Sequence, residues 1–278
     1  MKIKLASNYG FCFGVKRAIK IAEDYKNSST MGPLIHNQDE INRLQNDFNV
    51  GLYTKLSDVK DNDTVIIRTH GIPKDDLKNL RLQKAKIINA TCPFVTTPQQ
   101  IVKKMSKEGY SILIFGDAEH PEVKGVQSYG EDQDDVHIIL EPSEIKDLIF
   151  KNNKIATVAQ TTKKKEKYLE IVNALVLKNK EVRVFNTICD ATFENQDAAR
   201  DLSKEVDVMI VIGGKNSSNT KQLHSICLEN CTNSYLIEND TELDSSWFVN
   251  KKLCGITAGA STPDWIIQQV VDKIESFN

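Results

Sequence analysis

The chain has almost no net charge. Its 36 Lys and Arg stand against 38 Asp and Glu, leaving −2 over 278 residues. Without a global basic footprint it does not read as a nucleic-acid binder. No apolar run approaches the ~20 residues that a membrane helix needs, so no membrane partner is expected. The opening residues turn polar within ten positions, which predicts no secretory leader. No segment has the bias of a low-complexity linker. No Walker motif occurs, and no Gly-x-Gly-x-x-Gly follows a strand-like run, so a nucleotide cofactor is not indicated. Six cysteines without an export signal predict reduced thiols in a cytoplasmic setting, where they are buried, catalytic or metal-binding rather than bridged.

What remains is ordinary globular composition, with 40% hydrophobic and 27% charged residues. The length suggests about two domains and allows a large core. Short β-branched runs at Thr64–Ile67, Ile87–Ile88, Ile112–Phe115, Ile155–Val158, Val182–Phe185, Val208–Ile212 and Cys254–Thr257 read as strands. Helix-period stretches alternate with them, at Val15–Asp24, Gln99–Lys107, Lys163–Leu177, Asp197–Glu205 and Thr262–Phe277. Alternation of this kind predicts an α/β fold with mostly parallel sheet. The basic run Lys163–Lys167 reads as a solvated helix face.

The chain also repeats itself three times. Strand-like Lys2–Ala6, Lys86–Ala90 and Val182–Thr187 each lead into a turn with a cysteine, and then into a helix. Those cysteines, Cys12, Cys92 and Cys189, lie 80 and 97 residues apart, and 89 residues follow the last. Two polar loops follow each cysteine. The first holds His36, then His120, then Lys215–Asn219, at offsets of 24, 28 and 28 to His36, His120 and Ser217. The second holds His70, Thr161 and Ser261, at offsets of 58, 69 and 72. A period near 90 predicts three similar α/β units: 12–91, 92–188, and 189–278 completed by the N-terminal strand 1–11. Ligands of parallel sheets bind beyond the carboxyl ends of the strands. Three such units around an axis would aim their polar loops at one cleft.

The residue types in those loops carry chemistry. A thiol at a helix N-terminus is stabilised as thiolate by free N–H groups and the helix dipole. Singly, each cysteine reads as a buried small hydrophobe. At three matched positions they read as metal ligands, and three thiolates on an iron–sulfur cubane would leave one iron open. Cys227, Cys231 and Cys254 read as packing residues. His36, His70 and His120 sit at strand ends and suggest a site for an anion, whereas His137 and His224 read as structural. Lys215–Thr220 reads either as a phosphate cradle or simply as a capped helix start. Glu122, beside His120, could supply a proton.

The motifs Gly10-Phe11-Cys12-Phe13-Gly14-Val15, Gly32-Pro33-Leu34-Ile35-His36-Asn37, Arg68-Thr69-His70-Gly71, Ala90-Thr91-Cys92-Pro93, His120-Pro121-Glu122, Lys215-Asn216-Ser217-Ser218-Asn219 and Thr257-Ala258-Gly259-Ala260-Ser261-Thr262-Pro263 occur in order along the whole chain. Together they resemble the 4-hydroxy-3-methylbut-2-enyl diphosphate reductase family, the last enzymes of the non-mevalonate isoprenoid route. The resemblance implies three similar α/β domains in a pseudo-three-fold arrangement around one 4Fe-4S cluster. Cys12, Cys92 and Cys189 would hold the cluster, with one iron left open. The substrate diphosphate would be held by His36, His70 and His120 with Ser217, Ser218, Asn219 and Ser261. Glu122 would donate the proton, and Thr161 would order the substrate hydroxyl. A ferredoxin or flavodoxin would be the electron donor. Two positions depart from the common pattern: Asp190, where an uncharged residue is usual, and Thr97-Pro98, where a lysine often follows the Cys-Pro-x-Val turn. An iron–sulfur hydro-lyase, a cluster-based redox sensor and a zinc protein are the rival readings. They are told apart by reductant dependence, an interaction surface and metal content respectively.

Overall fold

The computed structural model describes residues Met1 to Phe277. The strands are β1 (Lys2–Leu5), β2 (Ser29–Met31), β3 (Gly51–Tyr53), β4 (Thr64–Ile67), β5 (Lys86–Asn89), β6 (Ser111–Phe115), β7 (Val136–Ile139), β8 (Lys154–Ala159), β9 (Glu181–Val184), β10 (Val208–Ile212), β11 (Ser234–Ile237) and β12 (Leu253–Ala258). The helices are α1 (Phe13–Asp24), α2 (Gln38–Phe48), α3 (Lys74–Leu82), α4 (Pro93–Lys107), α5 (Pro121–Gln127), α6 (Lys165–Lys178), α7 (Asp190–Ser203), α8 (Ser218–Asn230) and α9 (Asp264–Glu275).

The strands form three four-stranded sheets, β1-β12-β10-β11, β5-β4-β2-β3 and β9-β8-β6-β7, and every pairing is parallel. The expected α/β class with three parallel-sheet units is therefore the observed one. By compactness the chain divides into two units. One holds Met1–Lys16, Ile35–Leu44 and everything from Asp190, with the first sheet. The other holds Arg17–Leu34 and Gln45–Cys189, with the second and third sheets.

Burial explains which sequence becomes which strand. The inner strands β6, β8, β10 and β12 are covered on both faces and read as largely apolar runs, broken only by Ser111, Lys154, Thr157 and Thr257. The edge strands β1, β5 and β9 are largely exposed and read KIKL, KIIN and EVRV. Charge on an exposed edge discourages pairing with a further strand. Each of these three edge strands runs directly into one of the three cysteine turns.

In the first unit, Val208, Ile210, Ile212, Ile256, Ile266 and Val270 form one core layer, and α7 and α8 pack on the opposite face. In the second, α4 packs on β6 and β8 through Val102 and Met105, while Val65, Ile67 and Leu80 centre the neighbouring sheet. Pro98 lies inside α4 and is buried. Its missing N–H leaves the Phe94 carbonyl without its helical partner. Thr96 and Thr97 donate their hydroxyls to the Cys92 and Pro93 carbonyls at 3.3 and 3.2 Å and tie down that first turn. Two helices differ from the sequence expectation. Helix α4 begins at Pro93 and α7 at Asp190, each about a turn or more earlier than periodicity alone predicts. The run Lys163–Lys167 is also corrected: α6 starts only at Lys165, and the preceding turn, closed by the Lys163 N–H to the Gln160 carbonyl, carries Lys163 to 7% exposure.

Candidate active site

Each sheet has its topological switch point between its two inner strands, where successive connections leave in opposite directions. This is where the carboxyl-end crevice of a parallel sheet opens. The polar loops of the repeat all start there, and a hydrogen bond joins the loops of each pair. The Gly259 N–H reaches the Ile212 carbonyl at 2.8 Å, the Thr69 hydroxyl reaches the Leu34 carbonyl at 2.8 Å, and the Gln160 N–H reaches the Phe115 carbonyl at 2.8 Å. The three cysteines obey the same rule. Each immediately precedes a helix, α1, α4 or α7. Each donates its own N–H to the second loop of its sheet: Cys12 to Ala260, Cys92 to Thr69 and Cys189 to Thr161, at 3.2, 3.0 and 3.0 Å. None of the six cysteines is in a disulfide, and these three are half-buried.

Within the first unit, the residues expected at the anion site converge. Asn37 caps α2, its Oδ1 accepting from the Glu40 N–H at 2.9 Å, and so fixes His36 just before the helix. Ser261 donates its hydroxyl to the His36 carbonyl at 3.2 Å. Ser217 caps α8 through the Thr220 N–H at 3.3 Å, with Ser218 and Asn219 in the first turn. The capped-helix reading of Lys215–Thr220 is therefore observed. Asn219 is 4% exposed, and neither its carbonyl nor its amide nitrogen has a protein partner. A buried amide without partners is costly, so this one is set for a ligand. Two glycines make the approach possible. A Cβ on Gly214 would overlap the His36 carbonyl, and one on Gly259 would overlap the Thr220 hydroxyl.

Within the second unit, His70 and His120 meet edge to face with ring centroids 5.3 Å apart. His120 is the N-cap of α5, and its Nδ1 accepts the Glu122 N–H at 3.2 Å. That fixes the neutral tautomer with the proton on Nε2, a donor for an anion. Glu122 is 1% exposed. Its two oxygens accept from the Thr161 N–H and the Thr161 hydroxyl, both at 2.7 Å. Burial pushes the Glu122 carboxyl above its usual range, while the two Thr161 bonds and the nearby Lys163 charge pull it partly back. A buried carboxyl whose pKa is raised by desolvation holds its proton more readily than a free one, as a proton donor must.

Sequence reasoning missed several supporting residues. Arg17 donates to the carbonyls of Thr91 and Asn89, both at 3.2 Å, and braces the Cys92 turn. Arg68 donates to the Gly71 carbonyl at 3.2 Å and holds the turn of His70. The Asp117 N–H is bound by the Gln160 side chain at 3.0 Å. None has a local signal, because each acts across more than one element or through a backbone group.

Thiols at helix starts, imidazoles and the buried acid Glu122, all at the carboxyl ends of parallel sheets, are the equipment of an α/β enzyme acting on an anion. The chain belongs to the LytB protein family, whose model matches residues 3–275. It is 66% identical to the 4-hydroxy-3-methylbut-2-enyl diphosphate reductase of Sulfurovum sp. (strain NBC37-1) over 277 residues, covering 100% of both chains. It is 60% identical to the enzyme of the same name from Campylobacter concisus (strain 13826), covering 99% of both. A solved structure of (E)-4-hydroxy-3-methyl-but-2-enyl diphosphate reductase, the terminal enzyme of the non-mevalonate pathway, is 43% identical, with a TM-score of 0.72 and 99% of both chains covered. The E-1-hydroxy-2-methyl-but-2-enyl-4-diphosphate reductase from Plasmodium falciparum is 28% identical, with a TM-score of 0.91 over 98% of this chain and 87% of that one.

Membership implies an iron–sulfur cluster. The thiols fit one selectively. Cys12, Cys92 and Cys189 are half-buried at the positive ends of helices. Cys227 and Cys254 are sealed in the core, and burial pushes both up to about 12, which keeps them protonated and unfit as ligands.

Proposed function

We infer that the chain is a reductase of 4-hydroxy-3-methylbut-2-enyl diphosphate. The substrate's allylic hydroxyl leaves as water and a hydrogen takes its place: R–OH + 2 e⁻ + 2 H⁺ → R–H + H₂O. The products are isopentenyl and dimethylallyl diphosphate. The observation that carries this reading is the buried Glu122–Thr161 pair beside the His120 N-cap. The similarity of the whole chain to enzymes of that name supports it.

The cofactor in this reading is one 4Fe-4S cluster with Cys12, Cys92 and Cys189 as thiolate ligands and one open iron. When bound, it supplies electrons and Lewis acidity toward the alcohol oxygen. The protein does the rest. His36, His70 and His120, with Ser217, Ser218, Asn219 and Ser261, hold the diphosphate by hydrogen bonds to charged oxygens, each contributing on the order of 1.5–3 kcal/mol. Binding at that end fixes the reacting carbon. Thr161 orders the substrate hydroxyl, and Glu122 hands it the proton with which it departs as water. The segments 12–91, 92–188 and 189–278 with 1–11 are three copies of one unit in this reading, each contributing one thiol and two polar loops. A ferredoxin- or flavodoxin-type protein supplies the electrons, and a reducing cytoplasmic setting suits six cysteines without a disulfide.

The test is direct. Protein prepared without oxygen is reconstituted with iron and sulfide, reduced by methyl viologen, and given the substrate. A broad visible band that bleaches on reduction, with formation of both products, is expected. Conversion without a reductant would point instead to hydro-lyase chemistry, and a protein that takes up only zinc would overturn the reading.

A further inference from the structure

The reaction takes two electrons from outside the chain, and no Gly-x-Gly-x-x-Gly of a dinucleotide-binding loop follows a strand in the sequence. The electrons therefore enter across the surface, one at a time, from a carrier whose redox group comes close to a cluster ligand. The second unit has a groove at such a place. It measures about 620 Å³ and runs along α4 from Pro93 to Lys104, with Arg17 of α1 also lining it. Thr91 and Pro93, the residues on either side of Cys92, both line it. Pro93, Thr97, Gln100 and Lys104 follow one another at helical spacing along α4 as an exposed stripe.

The charge on this surface is one-sided. Arg17 and Lys104 line the groove, and no carboxylate does. The Lys104 side chain is 71% exposed, and its only ion pair among those described is a long one, 3.9 Å to Glu108. Lys20 continues the α1 side three residues beyond Arg17, and Lys107, itself 3.9 Å from Glu131, continues the α4 side three residues beyond Lys104. In a chain with net charge −2 this is a locally basic groove lined by polar side chains with Pro93 and Ile101. Such surfaces steer an oppositely charged partner and suit the small, short-lived interfaces of electron transfer.

We propose that the α1–α4 groove beside Cys92 is the docking surface for the electron donor, a small one-electron carrier protein with an acidic face around its redox group. The proposal rests on the reductase reading above and adds the place where that enzyme is reduced. Each turnover takes two encounters. In each, the carrier is oxidised by one electron and leaves, while the protons come from the enzyme site and solvent.

The experiment uses the reconstituted full-length enzyme and an acidic flavodoxin, in its hydroquinone form, as probe. The variant Q100E/K104E reverses the groove's charge without touching a site residue, and Lys180→Glu, outside the groove, is the control. With reduced methyl viologen as donor, all three proteins should turn over within about twofold of one another. With flavodoxin, the Q100E/K104E variant should show a KM raised about tenfold or more, while the control stays at the parent value. Added salt should slow the parent's flavodoxin-driven rate and leave its viologen-driven rate alone. Unchanged flavodoxin kinetics in Q100E/K104E would overturn the docking surface. A parent that converts no substrate even with viologen would instead overturn the reductase reading. In that event the groove is judged by binding: flavodoxin titrated onto the parent should perturb the amide signals of Thr97, Gln100 and Lys104, and perturbations confined to other elements would overturn it.

Discussion

In the proposed reaction Glu122 carries the proton, and its environment makes its behaviour with pH predictable. Desolvation raises its folded-state pKa above the ordinary carboxyl value. A rate that needs the protonated acid should fall as pH rises through that raised value. In Glu122→Gln that limb should vanish and the rate should drop by about 10²–10⁴, while substrate still shifts the cluster spectrum. Stability follows the same proton. The folded state binds it more tightly than the unfolded chain does, so the contribution is complete below the unfolded carboxyl range. It is lost as pH rises through the folded value. Melting curves of parent and Glu122→Gln against pH should diverge on the alkaline side if burial sets this acid. Asn219 tests binding separately. Its buried, unpartnered amide predicts a KM about tenfold higher or more in Asn219→Ala, measured with the cluster spectrum unchanged.

At the scale of elements, the unit of construction is edge strand, cysteine turn, helix, clipped by one N–H bond to the neighbouring switch-point loop. It occurs three times, so the three cysteines should behave alike. Serine replacements of Cys12, Cys92 and Cys189 should each lose iron and acid-labile sulfide on reconstitution, whereas those of Cys227, Cys231 and Cys254 should keep them. Close packing at the first unit's switch point gives another test. Gly213, at φ +151°, places its Cα hydrogens where a Cβ would lie 2.7 Å from the Thr220 hydroxyl, and Gly259 leaves no room on the other side of that hydroxyl. Gly259→Ala should destabilise the protein by about 1–3 kcal/mol. Adding Thr220→Ala should recover part of the loss, as read by denaturant midpoints in a double-mutant cycle.

At the scale of the whole molecule, the N-terminal strand closes the sheet of the last third of the chain. β1 pairs with β12 from Lys2–Leu253 to Leu5–Ile256, and Ala6 extends the ladder through its N–H to the Ile256 carbonyl. Removing Met1–Leu5 strips one edge from β12 and leaves the sheets of the other unit untouched. Amides of β12 should then exchange much faster with solvent while those of β8 keep their protection. Equal loss of protection in both strands would show that the two units unfold together.

The sequence alone determined the α/β class, the threefold cysteine spacing and the loops that carry His36, His70, His120, Glu122, Thr161 and Ser217–Asn219. These follow from patterns that repeat along the chain: largely apolar inner strands, charged edge strands, and a cysteine before α1, α4 and α7. It missed β2, β3 and β11, which have only three or four residues and take their conformation from neighbouring strands. It also placed Lys163 on a solvated face, because a lysine's burial depends on which turn carries it inward. The tertiary structure decided which residues meet. Glu122 and Thr161 lie 39 positions apart in sequence, and the acid's burial, its two hydrogen bonds and its raised pKa exist only where β6 and β8 bring their loops together. The buried, unpartnered amide of Asn219 and the glycine contacts around Thr220 arise the same way. Periodicity reports which face a residue occupies, whereas desolvation and hydrogen bonding depend on what the fold sets against it.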